Sequence, residues 1–95
     1  MKANIHWAEN GLEAVKLASS GIHFDLILMD IKMPVMDGFE ATKIIKSNFP
    51  EQIIIALTAY ARPEDRTHFM QAGFDDYLAK PIKPNDFIGV IRRYI

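Results

Sequence analysis

The chain contains no cysteine. This absence excludes a disulfide framework and zinc sites built on cysteine thiolates, and it is compatible with the reducing cytoplasm, where we expect the protein to reside. Glycine and proline are also scarce, with five of each in 95 residues, whereas hydrophobic residues make up 49% of the chain. Such a composition is typical of a globular domain and argues against a disordered chain.

Neither sign of charge dominates, because 11 lysines and arginines stand against 12 aspartates and glutamates, for a net charge of -1. Without a basic excess, neither nucleic acid nor an anionic membrane is expected as the main partner of this segment. The apolar runs are all shorter than the roughly 18 residues needed to cross a bilayer. The length suits one small domain, and we expect residues 1–95 to form it.

Hydrophobic periodicity divides the chain into eight segments. Short apolar segments predict strands at residues 3–8, 25–29, 53–57 and 76–79. Amphipathic segments predict helices over residues 11–20, 37–48, 63–72 and 84–94. The order β-α-β-α-β-α-β-α with short connections indicates an α/β fold, a doubly wound parallel sheet covered by helices.

Polar side chains stand at the carboxyl ends of the predicted strands. Glu9, Asp30, Thr58 and Lys80 occupy these four positions in chain order. Parallel strands place their carboxyl ends at one edge of the sheet, which is where open α/β sheets bind ligands. We therefore expect a carboxylate, a hydroxyl and an ammonium group to converge on one rim.

Asp30 is the candidate reacting group at this rim. It ends an apolar strand, and a carboxylate can take a phosphoryl group to form an acyl phosphate. Thr58 offers a hydroxyl donor and Lys80 a point charge for the phosphoryl oxygens. Each residue alone also fits an ordinary role, namely a turn aspartate, a strand-ending threonine and a solvated lysine. Their combination at three strand ends favours the functional interpretation.

Four sequence motifs occur in order along the chain. They are AENGLEA at residues 8–14, DLILMDIKMPVMDG at residues 25–38, IALTA at residues 55–59 and AGFDDYLAKP at residues 72–81. Together they resemble the receiver domains of response regulators in two-component phosphorelays, and the resemblance covers essentially the whole chain. It implies a flavodoxin-like fold and a phosphoprotein that acts as a signal-transduction switch, not as a turnover enzyme.

The resemblance also implies a role for each matching residue. Asp30 would accept a phosphoryl group from a histidine kinase or a histidine phosphotransfer protein. Thr58 would bind the phosphoryl oxygens and act as a switch, and Lys80 would pair with the phosphoryl charge. Tyr77 would be the aromatic switch that turns inward when Thr58 moves. Asp30 and the backbone carbonyl of Lys32 would help to hold Mg²⁺.

The chain departs from the family pattern at its start. In the family, a first strand and helix precede everything seen here, and an acidic pair at the end of that strand supplies most of the Mg²⁺ charge. This chain begins at the equivalent of the second strand, so residues 1–95 resemble an N-terminally truncated receiver domain. We expect an incomplete site, weak Mg²⁺ binding and impaired phosphotransfer.

The same departure predicts a gap in the sheet. The missing strand would lie between those equivalent to residues 3–8 and residues 25–29. The second of these strands would then expose unpaired backbone, which invites pairing with another chain. We therefore expect a homo-oligomer closed by intermolecular strands or by an exchanged element.

Two alternatives to a phosphorylated switch stay open. One is a phosphorylation-independent interaction module with the receiver fold, which the missing acidic pair favours. The other is a haloacid-dehalogenase-like phosphatase, which also uses an aspartate nucleophile, a threonine and a lysine. That family needs a second aspartate two residues after the nucleophile, and Lys32 at this position argues against it.

Overall fold

The computed structural model describes residues 4–8, 11–21, 24–31, 38–59 and 65–95. Strands and helices alternate in the predicted order, so the α/β prediction is confirmed. Differences from the predicted boundaries are small, and the predicted helix start at Pro63 lies outside the described residues. The elements are β1 (Ile5–Ala8), α1 (Gly11–Ala18), β2 (Leu26–Asp30), α2 (Gly38–Asn48), β3 (Ile54–Thr58), α3 (Arg66–Ala72), β4 (Asp76–Ala79) and α4 (Pro84–Tyr94).

All four strands are parallel and stand in the order β1-β2-β3-β4. The gap that we expected between the first two strands is absent from the described sheet. β1 pairs directly with β2, from Ile5 opposite Leu26 to Ala8 opposite Met29. Because unpaired backbone groups in a buried strand are costly, this pairing satisfies the edge of β2 that we expected to be exposed. The prediction of an unpaired β2 strand is therefore wrong.

Two apolar clusters form the core, one on each face of the sheet. Helices α1, α2 and α3 cover the first face, where their side chains pack on β1, β2 and β3. Helix α4 covers the second face, where Val90 packs on β2, β3 and β4. The continuous apolar runs of β2 and β3 follow from this arrangement, because strands in the middle of a covered parallel sheet are buried on both sides.

Glycine ends helix α3 in the left-handed conformation. Gly73 has φ 105°, and its N–H donates to the carbonyl of Met70 at 3.2 Å. The N–H of Phe74 then donates to the carbonyl of Phe69, also at 3.2 Å, so two carbonyl groups at the helix end are satisfied. This turn brings the chain directly into β4.

In the part of the chain that the structure describes, no helix has the length and apolar character required to span a membrane.

Candidate functional site

Asp30 and Lys80 meet at the carboxyl ends of their strands. Asp30 is the last residue of β2 and lies opposite Leu57 in β3. Lys80 directly follows β4, and its Nζ donates to Oδ2 of Asp30 across 50 positions of sequence. The Asp30 side chain is 21% exposed and that of Lys80 is 36% exposed. The predicted carboxylate and ammonium thus form an ion pair that water and small solutes can reach.

Thr58 lies at the same rim, between the two charged residues. It ends β3 and is buried, and it lies one position beyond Leu57, the register partner of Asp30. Its carbonyl accepts a hydrogen bond from the backbone N–H of Lys80 at 2.8 Å. The peptide bond that follows, Lys80–Pro81, is cis. Three of the residues predicted from the sequence therefore stand at neighbouring strand ends.

Gly38 contributes to the rim in a way that the sequence motif alone does not reveal. It begins α2, and its N–H donates to the carbonyl of Ile31 at 3.0 Å. A Cβ atom at this position would stand 2.5 Å from the backbone oxygen of Asp30. Helix α2 can therefore approach the Asp30 backbone only because the residue has no side chain. A glycine in place of a stronger helix former at the start of α2 is the sequence signal for this contact.

Tyr77 lies away from the ion pair. It lies in the edge strand β4, opposite Ala56 of β3, and its ring packs 5.4 Å from that of Phe69 in α3. Phe69 in turn stacks on Phe39 of α2 at 6.0 Å and meets Phe74 edge-on at 6.1 Å. The half-buried Tyr77 ring thus belongs to an aromatic cluster on the three-helix face and does not line the rim.

The described residues provide little of a metal site. They contain no cluster of three acidic, histidine or cysteine side chains that could hold an ion. The Asp30 carboxylate is a suitable hard oxygen donor, and Lys80 contacts one of its two oxygens. This donor set fits only a Mg²⁺ ion that keeps most of its water ligands. Lys32 and Glu9 lie outside the described residues.

Comparison with known proteins agrees with this geometry. The family described as "Response regulator receiver domain" matches residues 1–92. Hybrid signal transduction histidine kinase G of Dictyostelium discoideum is 45% identical over 92 residues, which cover 94% of this chain and 3% of the kinase. Two-component response regulator 24 of Arabidopsis thaliana is 37% identical, over 88% of this chain and 60% of the regulator. The chain therefore spans only a part of these relatives.

Solved structures share the fold over almost the whole chain. The receiver domain of sensor histidine kinase PA1611 from Pseudomonas aeruginosa, which has a magnesium ion coordinated in its active site cleft, is 32% identical. Its TM-score is 0.84, with 99% of this chain and 98% of that chain covered. The Saccharomyces cerevisiae complex of the phosphotransfer protein Ypd1 with the receiver domain of Ssk1 matches at 27% identity and TM-score 0.85, with 98% of this chain and 88% of that chain covered. The chain belongs to the response regulator receiver domain family and is a receiver domain of two-component phosphorelay signalling.

Proposed function

We propose that Asp30 is the phosphoacceptor of this receiver domain, and that the donor is the phosphohistidine of a histidine kinase or a phosphotransfer protein. In the transfer, a carboxylate oxygen of Asp30 forms a bond to phosphorus while the phosphorus–nitrogen bond of the donor breaks. The imidazole leaves with the electron pair of that bond and takes up a proton from water. The observation that carries the proposal is the Asp30–Lys80 ion pair at the carboxyl edge of a parallel sheet.

Lys80 and Thr58 stabilise the transferred group in this proposal. Phosphoryl transfer requires charge balance and positioning more than covalent assistance from the protein. The Lys80 ammonium, already beside Asp30, balances the added negative charge on the aspartyl phosphate. The Thr58 hydroxyl, at the neighbouring strand end, donates to a phosphoryl oxygen.

Mg²⁺ binding by this chain is proposed to be weak. The cation, when bound, neutralises charge on the phosphoryl oxygens, and Asp30 with the backbone carbonyl of Lys32 would contact it. Because the described residues hold no cluster of three potential metal ligands, the affinity depends on few charged ligands. We expect slow phosphorylation that becomes faster at high magnesium concentration.

Residues 1–95 are proposed to act as one domain that switches between two states and does not turn over a substrate. In this proposal Tyr77 is the moving part, because its ring packs against Phe69 on α3. A change in the Thr58 region would alter that packing and thereby the surface formed by α3, β4 and α4. This surface is the proposed contact for the output of the domain.

Phosphorylation of the purified chain tests the proposal. The protein is incubated with acetyl phosphate, or with a phosphorylated phosphotransfer protein, at several magnesium concentrations, and its intact mass is followed. We expect a gain of one phosphoryl group that Asp30→Asn abolishes and Lys80→Ala reduces. The control is Glu51→Gln, an exposed carboxylate at the other end of the sheet, which should leave the gain unchanged.

Other outcomes of this experiment identify the alternatives. Absence of any mass gain under all conditions contradicts the proposal and indicates a phosphorylation-independent interaction module. Continuous release of phosphate from small phosphoesters, lost in Asp30→Asn, would instead identify a phosphatase. The observation that favours the interaction module is that the described residues hold no cluster of three potential metal ligands.

Self-association stays a prediction, although its original basis in β2 is removed. The outer edges of β1 and β4 have no strand neighbour among the described residues, so strand pairing between copies is still geometrically open. Light scattering after size exclusion should then detect a dimer or larger species at high concentration. The expected cytoplasmic location and the expected lack of nucleic-acid and membrane partners are likewise predictions, which cell fractionation and binding assays would test.

A further inference from the structure

A cavity of about 620 Å³ lies at the end of the sheet opposite Asp30. It opens between the segment that joins α1 to β2 and the segment that joins α2 to β3. Residues from both segments and from the end of α1 line it, including Ala18, Phe24, Asp25, Phe49 and Glu51. Its volume falls in the range of sites that take a small ligand or a few side chains of a partner.

Two phenylalanines form much of the apolar part of the cavity wall. Phe24 is buried in the core, whereas Phe49 is 41% exposed at the mouth. The side-chain amide nitrogen of Gln52 donates to the carbonyl groups of Phe24 and Ile53, each at 3.1 Å. The bond to Phe24 connects the two segments, whereas the bond to Ile53 lies within the segment that joins α2 to β3. The bond to Phe24 therefore fixes one side of the cavity to the other.

The charge around the cavity is negative. Asp25 and Glu51 are part of its lining, and none of the described lining residues is a lysine, arginine or histidine. Helices α1 and α2 also direct their carboxyl ends, which carry partial negative charge, toward this end of the sheet. Neutral side chains bind carbonyl groups at these two helix ends: Ser20 Oγ donates to the carbonyl of Leu17, and Asn48 Nδ2 donates to that of Ile44. These two side chains carry no positive charge that would offset the negative helix ends.

We propose that this cavity is a docking site for a partner segment in which an arginine or lysine stands next to apolar residues. The phenyl rings of Phe24 and Phe49 accommodate the apolar side chains and the stem of the basic residue. The charged head group lies between Asp25 and Glu51, near the helix ends, and Phe49 at the mouth can add a cation–π contact. The complementarity of charge selects a basic segment over an acidic one.

Docking at this site would leave the phosphoacceptor accessible. Asp25 precedes β2 and Asp30 ends it, so five residues of strand, roughly 16 Å, separate the two ends. A partner can therefore occupy the cavity while a phosphotransfer protein occupies the rim. The inference does not rest on the proposed chemistry of Asp30.

A titration followed by amide NMR spectra of the labelled chain tests this docking site. The probes are the capped peptides Phe-Arg-Leu and Phe-Glu-Leu. We expect the arginine peptide to shift the signals of Gly21, Phe49 and Glu51, and the glutamate peptide to leave them unchanged. The affinity of the arginine peptide should fall about fivefold in Glu51→Lys, and it should weaken as salt is raised.

Matched variants keep the test specific. Asp86→Lys makes the same change of charge on α4, outside the cavity, and should leave the affinity unchanged. Glu51→Gln serves as a milder variant if charge reversal disturbs folding, and it should lower the affinity by a smaller factor. Asp30→Asn should bind like the parent chain, which separates this inference from the phosphoacceptor proposal. Equal response to both peptides, or equal loss in Glu51→Lys and Asp86→Lys, overturns the proposal.

Discussion

Asp75 and Asp76 are adjacent in sequence, yet their carboxylates bind cations on opposite faces of the sheet. Asp75 Oδ2 accepts from Lys46 Nζ of α2 at 2.8 Å, and also from the backbone N–H of Ile54 at 2.8 Å. Asp76 accepts from the guanidinium of Arg93 in α4. Because successive residues of an extended chain point to opposite sides, one dipeptide at the start of β4 connects both helical layers to the sheet.

The two partners of the Asp76–Arg93 ion pair should contribute unequally to stability. The Asp76 side chain is 5% exposed and that of Arg93 is 59% exposed. Arg93→Ala leaves a buried carboxylate without its cation and should lower the free energy of unfolding by about 2 kcal/mol. Asp76→Asn leaves an arginine that water can solvate, and should cost about 1 kcal/mol. Urea unfolding followed by circular dichroism measures both values.

The double variant sharpens this prediction. Adding Asp76→Asn to Arg93→Ala removes the uncompensated charge, so the double variant should be more stable than Arg93→Ala alone. Additive losses would show that the pair does not act through burial of the carboxylate.

Gly38→Ala should damage the rim that holds the proposed phosphoacceptor. The new Cβ would stand 2.5 Å from the Asp30 oxygen and 3.0 Å from Ile31 Cα, so the backbone must shift. We expect a loss of about 1–3 kcal/mol in the free energy of unfolding and slower labelling of Asp30. Gly89→Ala in α4, where a Cβ meets open space, is the control and should stabilise the protein by about 0.5–1 kcal/mol. Equal effects of the two substitutions would contradict the close approach.

Thr42→Val should leave the protein as stable as before or stabilise it. Thr42 is fully buried in α2, and its Oγ1 has no hydrogen-bond partner among the residues that the structure describes. Replacing this hydroxyl by a methyl group of similar size removes the cost of burying a polar group. The free energy of unfolding should therefore rise by at most about 1 kcal/mol. Thr67→Val, on the exposed side of α3, is the matched control and should change stability by less than about 0.5 kcal/mol. A clear destabilisation in Thr42→Val would reveal a hydrogen bond at this hydroxyl.

Ionisation of Tyr94 at alkaline pH should weaken the contact between α4 and the sheet. Burial raises the pKa of Tyr94 above its usual value of 10.0, and the carboxylates of Asp76 and Asp75 raise it further. The Tyr94 hydroxyl donates to the carbonyl of Asp75 at 2.7 Å, a bond that requires the protonated form. The stabilisation is therefore complete below the unfolded pKa of about 10 and is lost as the pH rises through the higher folded value.

Comparison with Tyr94→Phe isolates this effect of pH. Urea unfolding from pH 8 to pH 11 should show the parent chain losing stability faster than the variant above about pH 10. Parallel curves for the two proteins would show that ionisation of Tyr94 does not contribute.

Local patterns in the sequence were sufficient for the eight elements. The apolar runs that end at Asp30 and Thr58 identify β2 and β3, because strands covered on both faces need apolar side chains at every position. Pro84 marks the start of α4, since proline suits the first turn of a helix. These signals depend on neighbours in sequence, which a single chain reveals directly.

Contacts between distant residues were predicted less well. The order of strands is decided by which backbones meet in space, and β1 pairs with β2 where we expected a gap. No local pattern indicated that Arg93 reaches Asp76, and Gly38 in the sequence did not by itself indicate which backbone it approaches. Each of these contacts depends on the positions of whole elements.

By itself, the sequence determined the α/β alternation and the family resemblance, because periodicity and motif spacing are properties of the chain. It also predicted Asp30, Thr58 and Lys80 as site residues. Only the tertiary structure decided that β1 pairs with β2, that Tyr77 lies in an aromatic cluster and that Asp30 and Lys80 form an ion pair. The physical reason is that packing and charge pairing select among arrangements that have the same local sequence preferences. Asp30 and Lys80, 50 positions apart, become partners only when β2, β3 and β4 align in register.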